Sequence, residues 1–419
     1  MKPDRSLVLK NVALPDGRIA DITIKEGIVR HAGAGSATED AIDCTGLLVL
    51  PAAVDIHVHM RGGTQSAKED WGSGSRSALA GGVTIVVDQP NTIPPLTTPA
   101  AFRNRVEDAQ KHSLCNFAIN SGVTPDTPLP AMWNAGAMAF GETFFAPSSY
   151  GDAIDEPGLM RALRGIRGLG ALATIHAEEV GGGEDRTLES HAALRSPEGE
   201  VRAVEAVGRC NTHGCRLHFC HMSTGPSVDA AAGTVEVTPH HLFLSRDRFG
   251  PGDTLAKMNP PLRSEKEQKE LWARWKEIDV IASDHAPHTI AEKSVPFPAA
   301  PSGVPGVETM LPLLLAEVLE KRIDLADLIR KTSITPSLLM GIPPAGFAPG
   351  DRADFALYRK EPVPVSAENL HSRCGWTPFE GMPAVFPLMT IMDGRIVFRE
   401  GEFFPGPRRW IPGAGYSSR

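Results

Sequence analysis

Between residues 54 and 284 of this 419-residue chain, short apolar runs keep recurring, with helical stretches between most of them. There are eight such runs, at 54–59, 83–88, 116–121, 137–142, 171–177, 217–221, 235–238 and 279–284. Their lengths suit buried strands rather than helices. The stretches 100–111, 158–169, 198–212 and 266–275 carry a helical period, and a further helix is expected over 308–322, after the last run. Eight strand–helix units predict an α/β fold, a (β/α)8 TIM-type barrel. An open doubly wound sheet is the alternative arrangement of the same pattern.

Both chain ends have another texture. Short strand-like runs lie at 6–12, 19–24 and 47–50, with Pro15-Asp16-Gly17 as a turn. Near the other end, 355–358, 388–392 and 395–398 are strand-like, and Asp393-Gly394 is a hairpin signal. The two ends are expected to form one small composite β-domain, 1–50 plus 345–419, with the barrel, 51–344, inserted between them. Lysine and arginine total 42 against 50 acidic residues, a net charge of −8. That balance argues against a nucleic-acid surface. No apolar run approaches the roughly 20 residues of a membrane helix. Six irregularly spaced cysteines suit a reducing compartment, so a cytoplasmic protein is expected.

The polar residues at the strand ends carry the chemistry. His57 and His59 are two apart on the first run, so both imidazoles share one face. His176 ends the fifth run, His221 the sixth and Asp284 the eighth. In a barrel those ends meet at one mouth. Imidazoles and a carboxylate converging there suit zinc or a similar divalent ion. By alternation His218 should face away from His221 and serve structure, and adjacent His240 and His241 cannot both point inward from a strand.

These blocks resemble the dihydroorotases of the amidohydrolase superfamily, the class I type above all. Asp55-Ile56-His57-Val58-His59-Met60-Arg61 is similar to the family's opening motif. Lys68-Glu69-Asp70, Gly81-Gly82-Val83-Thr84, Asp88-Gln89-Pro90-Asn91, His218-Phe219-Cys220-His221, Thr238-Pro239-His240-His241, Met258-Asn259-Pro260-Pro261 and Ser283-Asp284-His285-Ala286-Pro287-His288 continue it. The resemblance implies a barrel with a composite β-domain. It also implies metal ligands at His57, His59, His176, His221 and Asp284, and substrate-holding residues at Arg61, Asn91, Asn259 and His288. An Arg61–Asn91 pairing suits a carboxylate substituent; a surface ion pair is the plainer role for Arg61.

Two positions depart from the pattern. Gly62-Gly63 stand where relatives usually have a proline before the glycine. Many relatives also bridge two metals with a carboxylated lysine on the fourth strand, but here no lysine lies between Lys111 and Lys257. Glu142 is expected to supply the bridging carboxylate, giving a binuclear zinc site, with a single ion as the alternative.

The implied activity is the reversible cyclisation of N-carbamoyl-L-aspartate to L-dihydroorotate and water, a step of de novo pyrimidine (UMP) biosynthesis, with Asp284 moving the proton. A hydantoinase or allantoinase is the enzymatic alternative, and a non-catalytic partner subunit the alternative from another class. Relatives are commonly homodimers, and association with aspartate carbamoyltransferase stays open. The Pro-, Ala- and Gly-rich segment 288–308 reads equally as a lid over the mouth or an inert surface loop.

Overall fold

The structure is a computed structural model that describes residues 6–35, 41–145 and 153–417. All eight expected strands form: Ala53–Val58, Val83–Asp88, Asn116–Ile119, Phe140–Phe145, Leu172–Ala177, Arg216–Phe219, Thr234–Val237 and Val280–Ile281. The first three pair in parallel, as do the last five. Parallel bridges Ser121–Phe140 and Val58–His285 join the two arcs, so the sheet closes into a barrel. Every residue of Val83–Asp88 and Leu172–Ala177 is buried, as strands covered on both faces must be.

Helices follow the strands with legible start signals. Trp71–Ala80 is capped by Asp70, Pro99–His112 by Thr98 and Pro197–Cys210 by Ser196, each side chain accepting a backbone N–H of the first turn. Pro99 and Pro197 sit where a missing N–H costs nothing. Helix Met310–Leu319 follows the eighth strand and is buried over most of its length.

Two strands differ most from expectation. The fourth runs Phe140–Phe145 rather than 137–142, so Glu142 lies inside it. The eighth is only Val280–Ile281, because the backbone turns away before Asp284, whose φ is +44°.

The terminal runs build a nine-stranded sheet. Its seam is the antiparallel pairing of Leu48–Pro51 with Phe355–Tyr358, which ties the two ends of the chain together. Leu9, Ile22, Val49, Phe355 and Ile391 form its own apolar core. Asp393 and Gly394 both take positive φ, as a tight hairpin turn requires. The tail then returns to the barrel, where Trp410 bridges Phe117. No described helix is long and apolar enough to cross a membrane.

Candidate metal centre and anion-binding wall

The carboxyl ends of the barrel strands bring the expected donors together. His57 Nε2 lies 3.6 Å from both Glu142 Oε2 and Asp284 Oδ1. His59 Nε2 is 3.0 Å from Asp284 Oδ1. On the other side, Glu142 Oε1 is 2.8 Å from His221 Nε2 and 3.2 Å from His176 Nδ1, and those two nitrogens are 3.1 Å apart. One oxygen of Glu142 therefore faces each half of the cluster. All six residues are buried.

Three of the site residues depart from ordinary strand geometry. Arg61, His221 and Asp284 have φ of +45°, +38° and +44°. This left-handed region is costly for residues with a side chain and concentrates at functional sites. It breaks the alternation that would have sent neighbouring side chains to opposite faces.

Second partners fix the ring orientations. Glu236 Oε1 is 2.8 Å from His57 Nδ1, and its other oxygen is 3.1 Å from His218 Nε2. Glu178 Oε2 is 3.3 Å from His176 Nε2, which leaves His176 Nδ1 facing the cluster. Asn91 Oδ1 is 2.6 Å from His59 Nδ1, so His59 is also held from behind. Carboxylate or carbonyl partners of this kind fix which ring nitrogen is free to bind an ion.

The donor set fits a divalent cation. Liganding bonds of about 2.0–2.2 Å place neighbouring donors around 3–3.5 Å apart, close to the separations here. His57 Nε2 is buried, aimed into the cluster and without a hydrogen-bond partner. Burial alone would raise the Glu142 carboxyl, but His57, His176 and His221 outweigh it and hold it well below the usual range. Burial would likewise raise Asp284, yet His57 and His59 keep it ionised. Burial would lower His176, but Glu142 and Glu178 push it up to about 9. Anionic oxygens and imidazoles thus already stabilise opposite charges where a cation would sit.

All of these donors except His57 line a cavity of about 410 Å³, which Arg61, Lys68, Asn91, Asn259 and His288 also line. Arg61 is only 8% exposed, its Nε has no hydrogen-bond partner, and among the described residues no carboxylate comes within ion-pair distance of its guanidinium. Arg105 fixes the Arg61 backbone by donating from Nη1 to its carbonyl oxygen at 2.5 Å. His288 Nε2 is 3.0 Å from the Ser302 carbonyl oxygen, which can only accept, so Nδ1 is left to accept from Lys68 Nζ at 3.3 Å. Burial first, then Arg61 and Lys68, keep this imidazole neutral.

Residues 48–397 match the model of the amidohydrolase family. The chain belongs to that family. A dihydroorotase from Methanosarcina mazei is 40% identical, covering 95% of each chain. One from Methanosarcina acetivorans is 39% identical over 96% of this chain and 93% of its own. Among solved structures, the L-hydantoinase (dihydropyrimidinase) from Arthrobacter aurescens superposes with a TM-score of 0.88 at 27% identity, covering 97% of this chain and 99% of that one.

In this amidohydrolase His218 is not turned to the helix layer. It shares the inward face with Cys220, and the positive φ at His221 lets that residue point inward as well. His240 and His241 are both buried on the short helix Pro239–Phe243, where the alternation rule of a strand does not apply. His241 bonds Thr238 and the Pro260 carbonyl, whereas neither ring nitrogen of His240 has a partner. Sequence reasoning missed Glu236 and Glu178. Glu236 did leave a signal, being a lone carboxylate in the otherwise apolar run 235–238. The segment 288–308 carries helix Ile290–Lys293 and brings Pro301, Ser302 and Gly303 to the cavity wall. Buried Lys293 anchors it by donating from Nζ to the carbonyls of Lys257 and Pro301.

Proposed function

We propose that this amidohydrolase is a dihydroorotase, interconverting N-carbamoyl-L-aspartate and L-dihydroorotate in pyrimidine synthesis. The buried, ion-pair-free guanidinium of Arg61 carries the reading. An uncompensated buried cation costs several kcal/mol, roughly, unless a ligand anion meets it. A neutral ring such as hydantoin leaves that cost in place, and a ring bearing a carboxylate removes it. Relatives named dihydroorotase at 39–40% identity support the same substrate.

His57, His59, His176, His221, Asp284 and Glu142 would hold zinc, and one oxygen of Glu142 faces each half of the set. Zinc held there supplies Lewis acidity and lowers the pKa of water towards ~7. Arg61 binds the substrate carboxylate through its planar fork. Asn91 uses its oxygen to hold His59, which leaves its amide N–H groups for the same carboxylate. His288, neutral and bonded at both nitrogens, steadies Lys68 and the Ser302 loop on that wall. Asp284, kept ionised among the histidines, takes a proton from the attacking water and returns it to the departing amide nitrogen. The 288–303 segment closes one side of the cavity against bulk water.

The test is a substrate panel on zinc-loaded protein: L-dihydroorotate, N-carbamoyl-L-aspartate, hydantoin, dihydrouracil and allantoin. Dihydroorotate should exceed every neutral ring in kcat/KM by roughly 30- to 5000-fold, the cost of about 2–5 kcal/mol for leaving one partner of a buried charge pair unmet. A preference for any neutral ring overturns the proposal.

A further inference from the structure

Asn259 borders the cavity, but the ring of His191 reaches its carboxamide from outside. His191 lies on helix Leu188–Leu194, is 1% exposed and does not line the cavity. Its Nε2 is 3.0 Å from the Met258 carbonyl oxygen and 2.9 Å from the Asn259 side chain. A backbone carbonyl can only accept, so Nε2 carries the proton. The Asn259 atom facing it must then be the oxygen, whichever way an amide would otherwise be assigned. Ser302 Oγ adds a second bond to that oxygen at 3.2 Å. With both acceptor positions of Oδ1 filled, the amide nitrogen is left for the cavity.

The ring is itself held in place. Asp185 flanks Nδ1, with both oxygens at 3.0 Å, and Lys257 is 3.5 Å from Asp185. The Phe297 ring meets His191 edge-on at 5.9 Å. Arg195 Nη1 approaches Nδ1 at 3.3 Å, while its Nε pairs with Glu178 at 3.4 Å. Glu178 is the residue that orients His176. One polar chain, running through half-buried Arg195, thus links the cluster to the opposite wall of the cavity.

We propose that His191 is a positioning residue: it locks the Asn259 carboxamide with its N–H groups towards the cavity, so that this wall donates to an oxygen of the cyclic substrate and rejects a ligand presenting N–H there. The inference rests on the dihydroorotase reading. It assigns a polarity to a position that would otherwise be free to flip.

The experiment measures kcat, KM, bound metal and melting temperature for wild type, H191F, H191Q, N259A and H191F/N259A, with L-dihydroorotate as substrate. Phenylalanine keeps the ring packed on Phe297 and removes the donor. Glutamine keeps a donor and loses the ring. H191F should raise KM about tenfold, the scale of one lost hydrogen bond, with metal content unchanged. H191Q should recover most of that loss, and H191F should cost nothing further once Asn259 is alanine. If Phe is tolerated and Gln is not, His191 only packs and the proposal falls. Full additivity in the double variant overturns it too. A wild type idle on dihydroorotate sinks the reading of function and this inference with it, whereas an active wild type with additive losses sinks the inference alone.

Discussion

Consider Arg61→Met, a change that keeps the apolar stem and removes the guanidinium. In the free protein the guanidinium is buried, one nitrogen is unsatisfied and no described carboxylate pairs with it. Burial accordingly pushes its pKa down. Removing such a group should relieve a desolvation cost of several kcal/mol, roughly. The backbone gives no opposing term, since φ of +45° strains methionine as it strains arginine. Stability should therefore hold or rise. Activity should move the other way. Truncating one partner of a buried, hydrogen-bonded charge pair costs about 2–5 kcal/mol, or roughly 30- to 5000-fold in kcat/KM for dihydroorotate. The assay pairs urea denaturation with initial rates on dihydroorotate, and orotate binding reports the ground state. A variant that unfolds more easily and turns over normally would show that Arg61 is a structural cation rather than the partner of an anionic substrate.

Asp284→Asn should lose about 10²- to 10⁴-fold in turnover, the range for a lost general acid–base, with the folded state intact by circular dichroism. Near-normal rates refute its proton role. Chelation should abolish turnover, and zinc should restore it equally in buffer freed of bicarbonate, because Glu142 needs no carbon dioxide to become a carboxylate; dependence on added bicarbonate would point to a modified lysine instead. Lys293 gives a pH test. Burial first, then Lys257, push its ammonium down to about 7 from 10.5. The unfolded chain holds that proton to higher pH than the folded one does, so wild-type stability relative to Lys293→Met should rise between about pH 7 and pH 10. A flat or falling difference in urea titrations across that window refutes it.

The barrel was legible because parallel strands buried on both faces leave continuous apolar runs, and the runs at 83–88 and 171–177 did so almost to the residue. His57 and His59 were legible because period 2 holds up to the end of the first strand. Period 2 fails at Arg61, His221 and Asp284, where positive φ redirects the side chains. Simple alternation therefore puts His218 on the wrong face and extends the eighth strand beyond Ile281. Glu178 and His191 stayed hidden for a different reason. Their work depends on which atoms of neighbouring residues they meet, and a buried contact between residues 191 and 259 leaves no periodic trace.

In the role proposed for it, Glu142 would stand where relatives carry a carboxylated lysine, on an arm about three bonds shorter. Gly141 would make up that reach. This residue has φ of +145° and lies so close to the fifth strand that a Cβ would overlap the Thr174 Oγ1 and carbonyl oxygen. The absence of a side chain at 141 lets the fourth strand approach its neighbour there and hold Glu142 among the histidines. Gly141→Ala alters no donor, yet it must push these strands apart, and φ near +145° is closed to alanine. It should lower bound zinc and kcat together, while Gly62→Ala, also at positive φ but in the loop after Arg61, should leave zinc content near wild type. Full metal content in Gly141→Ala would mean that Glu142 does not depend on this close approach.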